Sequence, residues 1–108
     1  MKDFRLYLHH MLECSEKIES YVGRGEKIFL ADSMAQDAVA RNFEIIGEAA
    51  KRIPVHVQTK APGIPWRRVA GLRDMLIHQY EGVNWSQVWK IATEDLPALQ
   101  REIRKLLK

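Results

Sequence analysis

The chain has 108 residues, 46% of them hydrophobic and 29% charged, with a formal net charge of +3. This is the profile of one soluble globular domain and excludes wholesale disorder. Its single cysteine, Cys14, excludes a disulfide framework and a thiolate metal cage, and fits a reducing compartment. Residues 1–11 mix Lys2, Asp3, Arg5, His9 and His10 with apolar residues, unlike the uninterrupted apolar core of a signal peptide, and no run approaches membrane-spanning length. A cytoplasmic location is expected.

The first half is acidic and the second basic. Residues 1–50 carry six Lys/Arg against nine Asp/Glu, and residues 51–108 carry eleven against five. Arg67, Arg68 and Arg73 precede His78, and Arg101, Arg104, Lys105 and Lys108 cluster at the end. Such a basic half suits an anionic partner such as nucleic acid, although the terminal cluster serves equally well as a solvated helix face.

Phe4, Leu8, Met11, Leu12, Ile18 and Val22 recur every three or four positions, with Ser15 as a small gap, and predict a helix from about 2 to 22. The run Gly23-Arg24-Gly25 ends it. Asp32 or Ser33 can cap a second helix to about Arg52, with Ala35, Ala38, Val39, Asn42, Ile45, Ile46, Ala49 and Ile53 facing inward. Gly47 and Ala50 are small enough for another helix to approach closely, and Pro54 closes the segment. Residues 55–65 form a connector with at most one helical turn.

Pro65 suits the first turn of a third helix, from about 65 to 80, with Val69, Leu72, Met75 and Leu76 as its buried stripe and Gly82 beyond its end. Asn84 can cap a fourth, from Trp85 through Val88, Ala92, Leu96, Leu99 and Ile103 to the terminus. Pro97 removes one backbone hydrogen bond, which predicts a kink or a break near Thr93. Without any β-type alternation, the expectation is an all-α bundle of four to five helices spanning 1–108 as one domain. Trp85 and Trp89, four apart, read as core rather than as base-stacking rings, and His56 has no ligating neighbours at metal spacing.

The richest chemistry lies in residues 73–80. Arg73, His78 and Tyr80 put a permanent cation, a titratable imidazole and a phenol within about two helical turns, a set suited to handling phosphate. As a bare pattern an Arg five positions before a His is weak, because nine Arg and four His in 108 residues give roughly 0.3 such pairs by chance. Positions 73 and 78 differ by about 140° around a helix, so one copy cannot bring both onto a narrow face. Two copies packed about a two-fold axis would supply each groove edge twice and gather two Arg and two His into one basic cleft. Asp74 stands four residues before His78 on one face and, with the helix dipole, favours the imidazolium. Asn42, an amide in an apolar stripe, is a candidate brace for the Arg73 region, and Glu48 reads as a plain surface carboxylate. His9 and His10 point to different sides of the first helix and read as surface residues.

From Arg5 onward the chain resembles the HepT-like members of the HEPN superfamily, toxins paired with minimal nucleotidyltransferase antitoxins. The likeness is carried by residues 36–52 (QDAVARNFEIIGEAAKR), by Ile64-Pro65-Trp66-Arg67, and by residues 70–83 from Ala70-Gly71-Leu72-Arg73 to Gly82-Val83. The family signature is Arg, four residues, His, one residue, Tyr, and Arg73, His78 and Tyr80 satisfy it; Asp74 stands where the family commonly has Asn. The resemblance implies a homodimeric, metal-independent endoribonuclease without cofactor, with Arg73 and His78 in the active site. It further implies that the nucleotidyltransferase partner silences the toxin by adding AMP to Tyr80. The rival reading is a non-catalytic helical adaptor that binds a nucleotidyltransferase and positions its substrate.

Overall fold

The computed structural model describes residues 3–78 and 82–108, with the side chains of Ile77 and His78 outside the description. Helix α1 (Phe4–Val22) starts where the Asp3 carboxylate accepts from the Arg5 N–H, and it ends at Gly23. Gly25 takes φ 109°, a left-handed value that side chains avoid, and there the chain turns into α2 (Glu26–Ala31). The Asp32 carboxylate accepts from the Met34 and Ala35 N–H groups and opens α3 (Ser33–Ala50). A single turn, α4 (Val55–Gln58), interrupts the connector as the prolines require, and α5 (Trp66–His78) follows. The Trp66 indole N–H reaches the carbonyls of Gln58 and Ala61, at 3.2 and 3.1 Å, and so ties the start of α5 to the connector.

The Asn84 side chain accepts from the Gln87 N–H to begin α6 (Trp85–Lys90). A π-helical turn, Ile91–Asp95, joins α6 to α7 (Leu96–Leu107). There the Leu96 N–H reaches back five residues to the Ile91 carbonyl. The wider turn brings Pro97 into the first turn of α7, where a missing N–H costs nothing. Thr93 adds a hydroxyl bond to the Trp89 carbonyl at 2.9 Å. The kink predicted near Thr93 is thus a π-turn.

α3 packs between α1 and α5, and α1 packs between α3 and α7, giving the side-by-side order α5, α3, α1, α7. The core is drawn from every long helix, with Leu8, Met11, Ile18, Val39, Ile46 and Ile103 fully excluded from water. Among the described residues no strand occurs, and no helix is long and apolar enough to cross a membrane. The all-α expectation holds.

Three details differ from the periodicity. α2 was not expected, because six residues are too few to show a stripe; Phe29 anchors it, fully buried and edge-on to Trp85 at 6.3 Å. The Gln36 amide then donates to the Phe29 and Leu30 carbonyls, satisfying the end of that short helix. On α3, Phe43 is buried where Asn42 was expected, and Asn42 stays half-buried. Ser15 is no gap: its hydroxyl donates to the Leu12 carbonyl and accepts from the Gln100 amide at 3.0 Å, a buried polar bridge between α1 and α7. Neighbouring Cys14 is also buried, which pushes its thiol above the ordinary range against the opposing pull of Lys17. A protonated, enclosed thiol is chemically quiet.

Candidate active site

α5 meets α3 at a glycine. A Cβ on Gly47 would lie 3.1 Å from the Val69 carbonyl, 3.2 Å from the Arg73 nitrogen and 3.3 Å from the Ala70 carbonyl, all backbone atoms. The two helix backbones are therefore in direct contact at this point, as the small residues of α3 lead one to expect. The consequence is local. Arg73 is fixed opposite Gly47, and the next residue of α3, Glu48, lies beside its side chain.

Arg73 Nε stands 3.2 Å from Glu48 Oε2, and Arg73 Nη1 lies 3.8 Å from Asp74 Oδ1. Both partners are accessible, the Arg73 side chain 41% exposed and that of Glu48 48%. Solvent screens such a pair, so its value to stability is small. Its value is directional: Glu48 engages Nε and Asp74 stands near Nη1, so the guanidinium is oriented by two carboxylates while remaining accessible to an anion. Asp74, 57% exposed, turns toward Arg73 from its own helix. Asn42 donates to the Ala38 carbonyl, at 2.8 Å, within α3. Glu48, not Asn42, is the α3 side chain that reaches Arg73. The sequence signal for this was available in Gly47: a residue that permits helix contact places its successor at the rim of that contact.

His78, five residues beyond Arg73, is the last residue of α5 that the structure describes. Its side chain lies outside the described residues, and so does Tyr80 altogether. Between α5 on one side and the π-turn and α7 on the other lies a groove of about 470 Å³, with α3 contributing Phe43. Leu72, Met75, Phe43, Ile91 and Leu99 line it, with Arg68 contributed by α5 and Glu94 by the π-turn. α5 thus packs on α3 and also borders this largely apolar groove. The terminal cations Arg101, Arg104, Lys105 and Lys108 are exposed, and Lys105 is paired with Glu102 at 3.4 Å.

An accessible arginine is thus braced where α5 meets α3, five residues before His78 on the same helix. The ribonuclease HepT-like family matches residues 11–106. The chain belongs to that family. A candidate RNase of Caldanaerobacter subterraneus subsp. tengcongensis is 38% identical over 109 residues, covering all of this chain and 97% of its own length. A "probable ribonuclease HepT" of Thermococcus cleftensis is 44% identical over 103 residues, covering 94% of each chain. A protein of Methanocaldococcus jannaschii, named as a gamma-glutamylcyclotransferase and candidate RNase, is 42% identical over 108 residues. The HepT-like chain spans about half of that relative, 49% of its length. No solved structure matches the chain.

Proposed function

We propose that this HepT-like protein is a metal-independent endoribonuclease, the toxin of a toxin–antitoxin pair, active as a homodimer through Arg73 and His78. The ribonuclease function is supported by relatives named for it along almost the whole chain. The observation that carries the active-site assignment is the accessible Arg73 guanidinium held by Glu48 on the helix that also bears His78. The largely apolar groove beside α5, with Leu72 and Met75 half-buried in it, supports seating a second copy there.

RNA carries its own nucleophile. Cleavage requires removal of the 2′-hydroxyl proton, attack of that oxygen on the adjacent phosphorus, and protonation of the departing 5′-oxygen. Arg73 would hold the phosphoryl oxygens as charge gathers on them, and the His78 imidazoles would accept the first proton and deliver the second. No step calls for a cofactor. AMP added to Tyr80 by a nucleotidyltransferase would bring a phosphate two residues from His78 and compete for the charge of Arg73, silencing the enzyme.

Purified wild-type protein is expected to cleave single-stranded RNA in the presence of EDTA, and both Arg73→Ala and His78→Ala are expected to abolish cleavage while keeping the helical circular dichroism. Retained cleavage by both variants would refute the assignment. Co-expression with a nucleotidyltransferase partner should add the mass of AMP, and Tyr80→Phe should remove that addition. If the protein instead binds the transferase and never cuts RNA, the adaptor reading replaces this one.

A further inference from the structure

Beside Glu48, α1 and α3 border a hollow of about 220 Å³. Its walls are Tyr7 and His10 from α1, and Ile45, Glu48, Ala49 and Arg52 from α3. The α3 residues follow the spacing i, i+3, i+4, i+7, and Tyr7 and His10 are three apart, so each set forms one helix face turned to the other. Ile45 and Ala49 offer an apolar floor, Tyr7 is half-buried, and His10 and Arg52 are exposed. Among the described residues Arg52 takes part in no ion pair, so its charge is available to a ligand.

We propose that this hollow is a subsite for the nucleotide adjoining the scissile phosphate, with the base against Tyr7 and the floor and the phosphate on Arg52. The proposal rests on the ribonuclease reading above. Three features support it. Unpaired RNA is recognised by stacking a splayed base on an aromatic or apolar surface while a cation follows the backbone, and both elements are present here. The hollow adjoins the candidate active site, because Glu48 lines one and braces Arg73 in the other. Arg52 stands one turn beyond Glu48, about 6 Å along α3, within reach of the next backbone group. Glu48 itself sets the polarity: a carboxylate repels phosphate, so the phosphates fall on either side of it, at Arg73 and at Arg52. Between them it can accept a hydrogen bond from a ribose hydroxyl or a base amino group.

The test uses the full-length protein and a fluorescein-labelled, mixed-sequence single-stranded RNA dodecamer, with a 2′-O-methyl version for binding and an unmodified one for cleavage. Arg52→Ala should weaken anisotropy-measured binding about tenfold. It should also lower the slope of log Kd against log salt by about 0.7, as for one lost phosphate contact on a single strand. In cleavage, KM should rise with kcat held. Tyr7→Phe should bind like wild type, because the ring is kept, whereas Tyr7→Ala should lose roughly tenfold. Arg24→Ala removes the same charge in the turn beyond α1, about 20 Å from His10 along that helix axis, and should change neither quantity. Equal weakening by Arg24→Ala and Arg52→Ala would overturn the subsite, as would an unchanged salt slope in Arg52→Ala or a fall in kcat with KM intact. If Arg73→Ala still cleaves RNA, the active-site reading fails, and the binding arm still reports on the hollow independently.

Discussion

Glu48 Oε2 lies 3.2 Å from Arg73 Nε, a contact between neighbouring helices that braces the candidate catalytic guanidinium. Both side chains are well exposed, so removing the pair changes orientation far more than stability. Glu48→Gln should shift the melting temperature by only a few degrees. It should lower kcat for RNA roughly tenfold or more, because a misaimed arginine no longer meets the developing charge. KM should stay level or fall, since a carboxylate that repels phosphate has gone. Steady-state kinetics showing unchanged kcat would remove Glu48 from the positioning role.

Gly47→Ala tests the helix contact beneath that pair. In an isolated helix this change gains about 1 kcal/mol of propensity. Here the new methyl group meets three backbone atoms of α5 at 3.1 to 3.3 Å, and a packed backbone yields less readily than the end of a side chain. Overpacking of this kind costs about 1–3 kcal/mol, so the sign should reverse to a net loss. We expect a melting temperature lower by roughly 5 °C, together with reduced RNA cleavage as Arg73 moves away from Glu48. A thermally stabilised, fully active Gly47→Ala protein would show that α5 shifts without consequence.

Leu72 stands on α5, in the groove facing the π-turn and α7. If a second copy covers this groove, a charge within it should prevent association, since a desolvated carboxylate without a partner is expensive. Leu72→Glu should therefore elute as a monomer in light-scattering chromatography, keep its helical circular dichroism and lose RNA cleavage. A variant that stays dimeric would move the interface elsewhere.

The bridge from Gln100 Nε2 to Ser15 Oγ at 3.0 Å is buried and joins residues 85 positions apart. Ser15→Ala leaves the Gln100 amide enclosed without that acceptor, at a cost of about 1–3 kcal/mol. Adding Gln100→Leu removes the stranded donor and should recover part of the loss. Urea titration of the two single variants and the double variant measures the coupling; strictly additive losses would mean that the amide finds another acceptor.

Much of this protein was legible in its sequence because the determining interactions are local. Helix faces follow from apolar spacing, Asp32 and Asn84 cap because a side-chain oxygen reaches N–H groups two or three residues on, and Pro97 forces the irregular turn at Ile91–Asp95. The blocks 36–52, 64–67 and 70–83 likewise need only the chain itself, and they pointed to the family. What folding alone decided depends on which faces meet. Phe43 displaces Asn42 from the core, Phe29 secures a helix too short to have a periodicity, and Ser15 becomes one end of a buried bridge. Glu48 becomes the brace of Arg73, and Tyr7, His10 and Arg52 come to share one hollow. A helix's spacing records which side is apolar but carries no record of its neighbour, so contacts between distant positions emerge only when the helices pack.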